Sequence, residues 1–175
     1  MANANTPYVT GLFKDRESAE RAYQSLSARG YTKDDVNLVM SDDTRSRLFS
    51  ASTVKETELG SKAAEGAGIG GAIGGTVGAI AAAVAAIGTT LLIPGLGVVV
   101  AGPLAAALAG AGAGAAGGGL IGALIGLGIP EERVKKYETG IQEGGILLGV
   151  KPRSDDDAAH IEQSWKSYNG EQIYR

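Results

Sequence analysis

From Gly66 to Pro130 the chain runs for 65 residues without one Asp, Glu, Lys, Arg or His. All 16 Lys and Arg and all 19 Asp and Glu lie in the rest of the sequence. The chain is therefore two materials, and any fold must either bury the charge-free one in protein or place it in lipid. Within it glycines recur at every fourth position, Gly66, Gly70, Gly74 and Gly78. The spacing offers three readings: a flexible linker, a phosphate-binding loop, or a helix that lets another backbone approach closely.

The linker reading needs serine, proline and charge around the glycines. Here the companions are Ala, Ile, Leu and Val, with only Pro94 and Pro103 before Pro130. The phosphate-loop reading has nominal matches to GxGxxG at Gly66 to Gly71 and at Gly112 to Gly117. Neither follows a strand or precedes an acidic residue about 20 positions on, and no Lys-Ser or Lys-Thr pair completes a Walker loop.

The third reading predicts a helical hairpin. IPGLG, Ile93 to Gly97, breaks the segment near its middle, with Pro94, Gly95 and Gly97 as the turn. Each arm has roughly thirty residues where a bilayer core needs about 20. In the second arm Gly102, Ala106, Gly110, Gly114, Gly118, Gly122 and Gly126 repeat the period of four, so each arm has one face of small residues. Folding the arms together pairs Gly78 with Gly114, Gly74 with Gly118, Gly70 with Gly122 and Gly66 with Gly126. Glycine costs a helix about 1 kcal/mol against alanine, so the eight in the first arm require packing or lipid to offset them.

The flanks read as a compact α+β module. PYVTGLF (7–13) and VNLVM (36–40) have the composition of strands, with a helix between them whose buried stripe is Ala19, Ala22, Tyr23 and Leu26. Asp15 caps that helix and Gly30 ends it. Beyond the apolar segment, Pro130, Glu131 and Glu132 open a helix that faces Val134, Tyr137 and Ile141 inward. GILLGV (145–150) is a strand, and Ser154 opens a last helix with Ala158, Ile161, Trp165 and Tyr168 as its stripe. Gln172 to Tyr174 is a short final strand. Two split βαβ halves of this kind predict a ferredoxin-like domain with the glycine-zipper hairpin inserted between its second and third strands. The expected division is 7–41 and 130–175 for the two halves, 42–61 for a linker and 62–129 for the hairpin.

Net charge is only −3, and no basic cluster interleaves with aromatics, which argues against a nucleic-acid partner. The chain has no cysteine, hence no disulfide or thiolate metal site. Its one histidine, His160, reads as a solvated helix position, and Asp42, Asp43 and Asp155 to Asp157 read as helix and turn starts without the spacing of a calcium loop. No catalytic set, cofactor, metal site or small-molecule substrate is indicated. MANANTPYVTG lacks the basic and apolar regions of a signal peptide, so the chain is expected to begin in the cytoplasm.

GLFKDRESAERAYQSLSARGYTKDDVNLVMSDD, then LLIPGLG and AGPLAAALAGAGAG, then LIGALIGLGIPEERVKKYETGIQEGGILLGV together resemble the bacterial general stress protein 17M-like group, described as heat- or low-temperature-induced proteins. The resemblance covers most of the chain, and it implies a non-enzymatic, stress-associated protein. Lys62 before the hairpin and Arg133, Lys135 and Lys136 after it predict an inner-membrane anchor with both ends and the folded module in the cytoplasm, the bilayer and further copies of the chain being its partners. The alternative is a cytoplasmic, soluble structural protein that self-assembles through the same hairpin.

Overall fold

In a computed structural model of the chain, residues 7–49, 90–93, 97–110, 122, 124–125 and 129–175 are described. They form six strands, β1 (Val9–Phe13), β2 (Val36–Ser41), β3 (Thr90–Ile93), β4 (Val98–Ala101), β5 (Ile146–Val150) and β6 (Glu171–Tyr174). Five helices accompany them, α1 (Arg16–Ala28), α2 (Asp42–Phe49), α3 (Pro103–Gly110), α4 (Glu131–Gln142) and α5 (Asp155–Ser167). The strands make one sheet in the order β3-β4-β2-β5-β1-β6, with every neighbouring pair antiparallel. Thus β1 and β2 run parallel on either side of β5, joined through α1, while β5 and β6 flank β1 and are joined through α5.

Helix ends follow local chemistry. The Asp15 carboxylate accepts from the Ser18 amide at 2.8 Å and so caps α1. Gly30, at φ +81°, closes it, with the Tyr31 N–H returning to the Leu26 carbonyl at 3.1 Å. The Ser154 hydroxyl caps α5, and Asp155 to Asp157 sit at the positive end of that helix dipole.

Strand alternation divides the core in two. Val9, Phe13, Val36, Leu38, Met40, Ile146, Leu148 and Val150 face α1 and α5, where the stripes Ala19, Ala22, Tyr23, Leu26 and Ala158, Ile161, Trp165 are buried. Gly11 lies directly under the Trp165 ring, where a Cβ would stand 2.8 Å from Cε3. Leu12, Val39, Val98, Val100 and Leu147 face the other way, onto Leu104 and Ala105 of α3 and Val134, Tyr137 and Ile141 of α4. Both faces of the sheet are therefore covered by helices.

This overturns the expected fold class. The sheet has six strands, and two of them come from within the charge-free segment. Among the described residues no helix is long and apolar enough to cross a membrane. The apolar helix α3 has 8 residues where a bilayer needs about 20. Where two helical arms were expected to meet, the chain reverses between strands: Thr90 pairs with Ala101 and Ile93 with Val98. The physical reason lies in Val98, Val99 and Val100, whose branched side chains favour a pleated backbone and pack on both faces beside β2. Membrane anchoring through a pair of transmembrane helices is not supported, and the inner-membrane placement that rested on them falls with it.

Gly102, expected in the second helical arm, is instead the joint that turns β4 into α3. It has φ +98°, and a Cβ there would collide with the Val36 carbonyl oxygen. A side chain at such a position costs about 1 to 3 kcal/mol in backbone strain before the collision is counted. Gly102→Ala is therefore expected to lower unfolding free energy by at least about 2 kcal/mol in urea titration. Gly122→Ala, at an exposed helical position with open space, should leave it unchanged or raise it by about 0.5 to 1 kcal/mol.

Candidate self-association edge

A sheet ends in two edges, and each presents a row of backbone N–H and C=O groups that can pair with another strand. In this sheet the two ends differ. At one end, β6 carries Glu171, whose carboxylate pairs with Lys14 at 2.9 Å. Its register against β1 shifts between Thr10 and Leu12, and Gln172 has φ +48°. Charge and an irregular backbone both discourage addition of a strand. The Tyr174 ring lies under the Arg133 guanidinium at 4.2 Å, and the Tyr137 hydroxyl donates to the Gln172 carbonyl at 2.9 Å, so β6 is also tied to α4.

At the other end stands β3, Thr-Leu-Leu-Ile, with no charge, no glycine and a regular ladder to β4. Its outer edge has no partner among the described residues. Nothing in its sequence blunts it in the way that Glu171 and Gln172 blunt β6.

The edge is held in place from below. Val98–Ala101 is wholly buried and pairs residue for residue with Ser41 to Leu38 of β2. The Asp42 amide donates to the Gly97 carbonyl at 2.7 Å, fastening the end of the turn to the start of α2. Gly102 has no side chain with which to cap α3, and Asn37 of β2 supplies one: its Oδ1 accepts from the Leu104 amide at 2.7 Å. A cap of this kind contributes about 1 kcal/mol. The apolar segment is thus joined to the sheet by a ladder, a cap and a close backbone approach.

The densest polar cluster lies elsewhere, between the end of α1 and the start of α5. The buried Asp157 carboxylate receives the Arg29 Nε at 2.6 Å and the Tyr31 hydroxyl, and the Arg153 guanidinium stacks over the Tyr31 ring at 4.4 Å. Arg153 also donates to the Gly30 carbonyl at 2.7 Å. Burial works to raise the Asp157 pKa, but the Tyr31 hydroxyl, Arg29 and the Arg153 amide outweigh it and hold the carboxyl below its ordinary value. The Tyr31 hydroxyl is pushed up to about 12, first by burial and then by its bond to Asp157. Each cation here already faces a carboxylate, a carbonyl or a ring, so the cluster is a closed latch between helices.

Of the residues singled out in the sequence, Gly66, Gly70, Gly74, Gly78, Gly114, Gly118, Gly126, Pro94 and Gly95 lie outside the described residues. Gly110 is the last residue of α3, Gly97 is an exposed turn at φ +58°, and Gly122 is helical and exposed. His160 is exposed on α5. Among the described residues no group of three or more His, Cys, Asp and Glu is placed to hold a metal. Asn37 and Thr10 were not anticipated, and Asp157, expected only as part of a helix start, also bonds Arg29 and Tyr31; an Asn inside the apolar run VNLVM was the available signal for the first. No family model matches this chain, and neither does any curated protein or solved structure.

The latch predicts a pH dependence. A carboxyl whose native pKa is depressed stabilises fully above its unfolded value of about 3.9, and that contribution disappears as pH falls through the native value. Asp157→Asn should cost about 2 kcal/mol at pH 7, in the range for hydrogen bonds to a charged group. The gap between wild type and variant should narrow as pH falls from the unfolded value of about 3.9 and close once it has passed through the depressed native value, read by urea unfolding at each pH. A gap of constant size would assign the loss to packing instead of charge.

Proposed function

We propose that this chain is a non-catalytic, stress-associated structural protein that acts by self-association through the β3 edge. The observation that carries the reading is the asymmetry of the sheet: one end is guarded by charge and irregular backbone, the other is regular, apolar and uncharged. A second copy is the occupant with matching chemistry, because a strand such as β3 pairs antiparallel with itself about a twofold axis and joins two sheets into one. The resemblance to the general stress protein 17M-like group supports the stress association. The closed Asp157 latch supports the non-catalytic part, since the strongest cluster of ionisable groups is engaged in joining helices. The low net charge fits a protein partner better than nucleic acid.

Sedimentation velocity across a concentration series tests this. The wild type is expected to form a reversible dimer or larger assembly, and Leu91→Lys with Leu92→Lys should return it to monomer, since charge on an edge strand opposes pairing. Hydrogen exchange on the wild type supplies a readout independent of the variant's folding: β3 amides should gain protection as concentration rises. A wild type that stays monomeric up to about 100 μM, with β3 protection independent of concentration, would contradict the reading.

A further inference from the structure

On the face of the sheet covered by α3 and α4, Thr10, Gly149 and Asn37 stand side by side across β1, β5 and β2. The missing side chain of Gly149 leaves a small cavity between its two polar neighbours, walled by Leu104, Leu124 and Ile129. A Cβ built on Gly149 would lie 3.6 Å from Thr10 Cγ2 and 3.7 Å from Asn37 Cβ, so both flanking side chains border the gap. The space gives the centre of a water molecule about 10 Å³, which is room for one.

The polar groups around the gap are oriented by their other bonds. Asn37 is 4% exposed, and its Oδ1 must face the Leu104 N–H, which fixes Nδ2 on the opposite side of the amide. That Nδ2 is buried and has no hydrogen-bond partner among the described residues. Thr10 is 5% exposed, with its Oγ1 2.7 Å from the Tyr137 hydroxyl. Tyr137 has one proton, and it goes to the Gln172 carbonyl, which can only accept. The shared proton between Thr10 and Tyr137 is therefore the threonine's. Thr10 Oγ1 keeps free lone pairs, and the side chains of Thr10 and of Asn37, whose unpartnered Nδ2 would lie 3.9 Å from a Cβ on Gly149, line one water-sized space.

We propose that this cavity is a binding site for a single ordered water, which accepts from Asn37 Nδ2 and donates to Thr10 Oγ1. The water closes a chain of hydrogen bonds from the Leu104 amide at the start of α3, through Asn37, Thr10 and Tyr137, to the Gln172 carbonyl of β6. It joins the strand that holds the apolar segment to the strand at the far end of the sheet. Gly149 is the residue that makes the space for it.

Water-selective NOE and ROE spectra of the ¹⁵N-labelled full chain test the site. The Asn37 side-chain amide protons should show cross-peaks to a long-lived water. Gly149→Ala, whose methyl fits the gap at ordinary contact distances, should abolish those cross-peaks while backbone amides of β2 and β5 keep their dispersion. Thr10→Val, which removes the acceptor and keeps the shape, should weaken them. Absence of the cross-peak in the wild type overturns the proposal, as does its persistence in Gly149→Ala. A carbonyl of the chain bonded to Asn37 Nδ2 in a high-resolution crystal structure also overturns it.

Discussion

The ladder between β4 and β2 is the contact on which the rest of this architecture depends. Without it, β2 would be an edge strand and the buried side chains of Val39 and Met40 would lose Val100 and Val99 beside them. With it, Val98–Ala101 of the charge-free segment finds a place where its backbone groups are paired and three valines are buried, each worth about 1.5 to 3 kcal/mol. The helices that cover the second face follow from that placement. β4 leads through Gly102 directly into α3, whose Leu104 and Ala105 lie over Val98, Val100 and Val39 beside α4. The apolar segment thus extends the sheet and also contributes to the layer above it.

Three of the polar groups buried in this arrangement act as fasteners, bonded across elements far apart in sequence. Asn37 holds α3 to β2, Tyr137 holds β6 to α4, and Asp157 holds the end of α1 to the start of α5. Burial pushes the Tyr137 hydroxyl up to about 12 against the opposing effect of the Thr10 bond, so it stays protonated and able to donate throughout the physiological range. Fasteners of this type resist substitution because the group left behind is buried and unpaired. They also explain why the polar chemistry of the molecule is concentrated at joints between elements.

Helices α1, α4 and α5 were legible in the sequence because each announces itself locally, whereas α2 fell within residues 42–61, expected as a linker, because its polar sequence carries no apolar stripe. Asp15 and Ser154 are caps, Gly30 is a stop, and the stripes through Leu26, Tyr137 and Trp165 repeat at helical spacing. The strands β1, β2 and β5 were legible for a similar reason, as short β-branched and aliphatic runs. What could not be read was the fate of Thr90 to Ala101. A glycine period and a hydropathy window both average over about 20 residues, and both reported an apolar arm suited to a helix. The deciding signal was shorter: three consecutive valines before Gly102, next to a β2 strand whose outer edge needed a partner. That need is a tertiary fact, invisible in the segment itself. Thr10, Asn37 and Gly149 were hidden for the same reason, since their contiguity across three strands exists only once the register is set.

The central claim is that the middle of the charge-free segment is built into the sheet as β4 on β2, and the absence of native cysteines allows a direct test. In an antiparallel pair, residues directly opposite have Cα atoms about 4.5 to 5.5 Å apart, within the range a disulfide spans. Ser41 lies opposite Val98 in this structure. Cysteines at Ser41 and Val98 should therefore oxidise to an intramolecular disulfide, whereas cysteines at Ser41 and Val100, two residues along the same strand, should not. Failure of the first pair to crosslink in the folded protein, or equal crosslinking of the two pairs, would contradict the account.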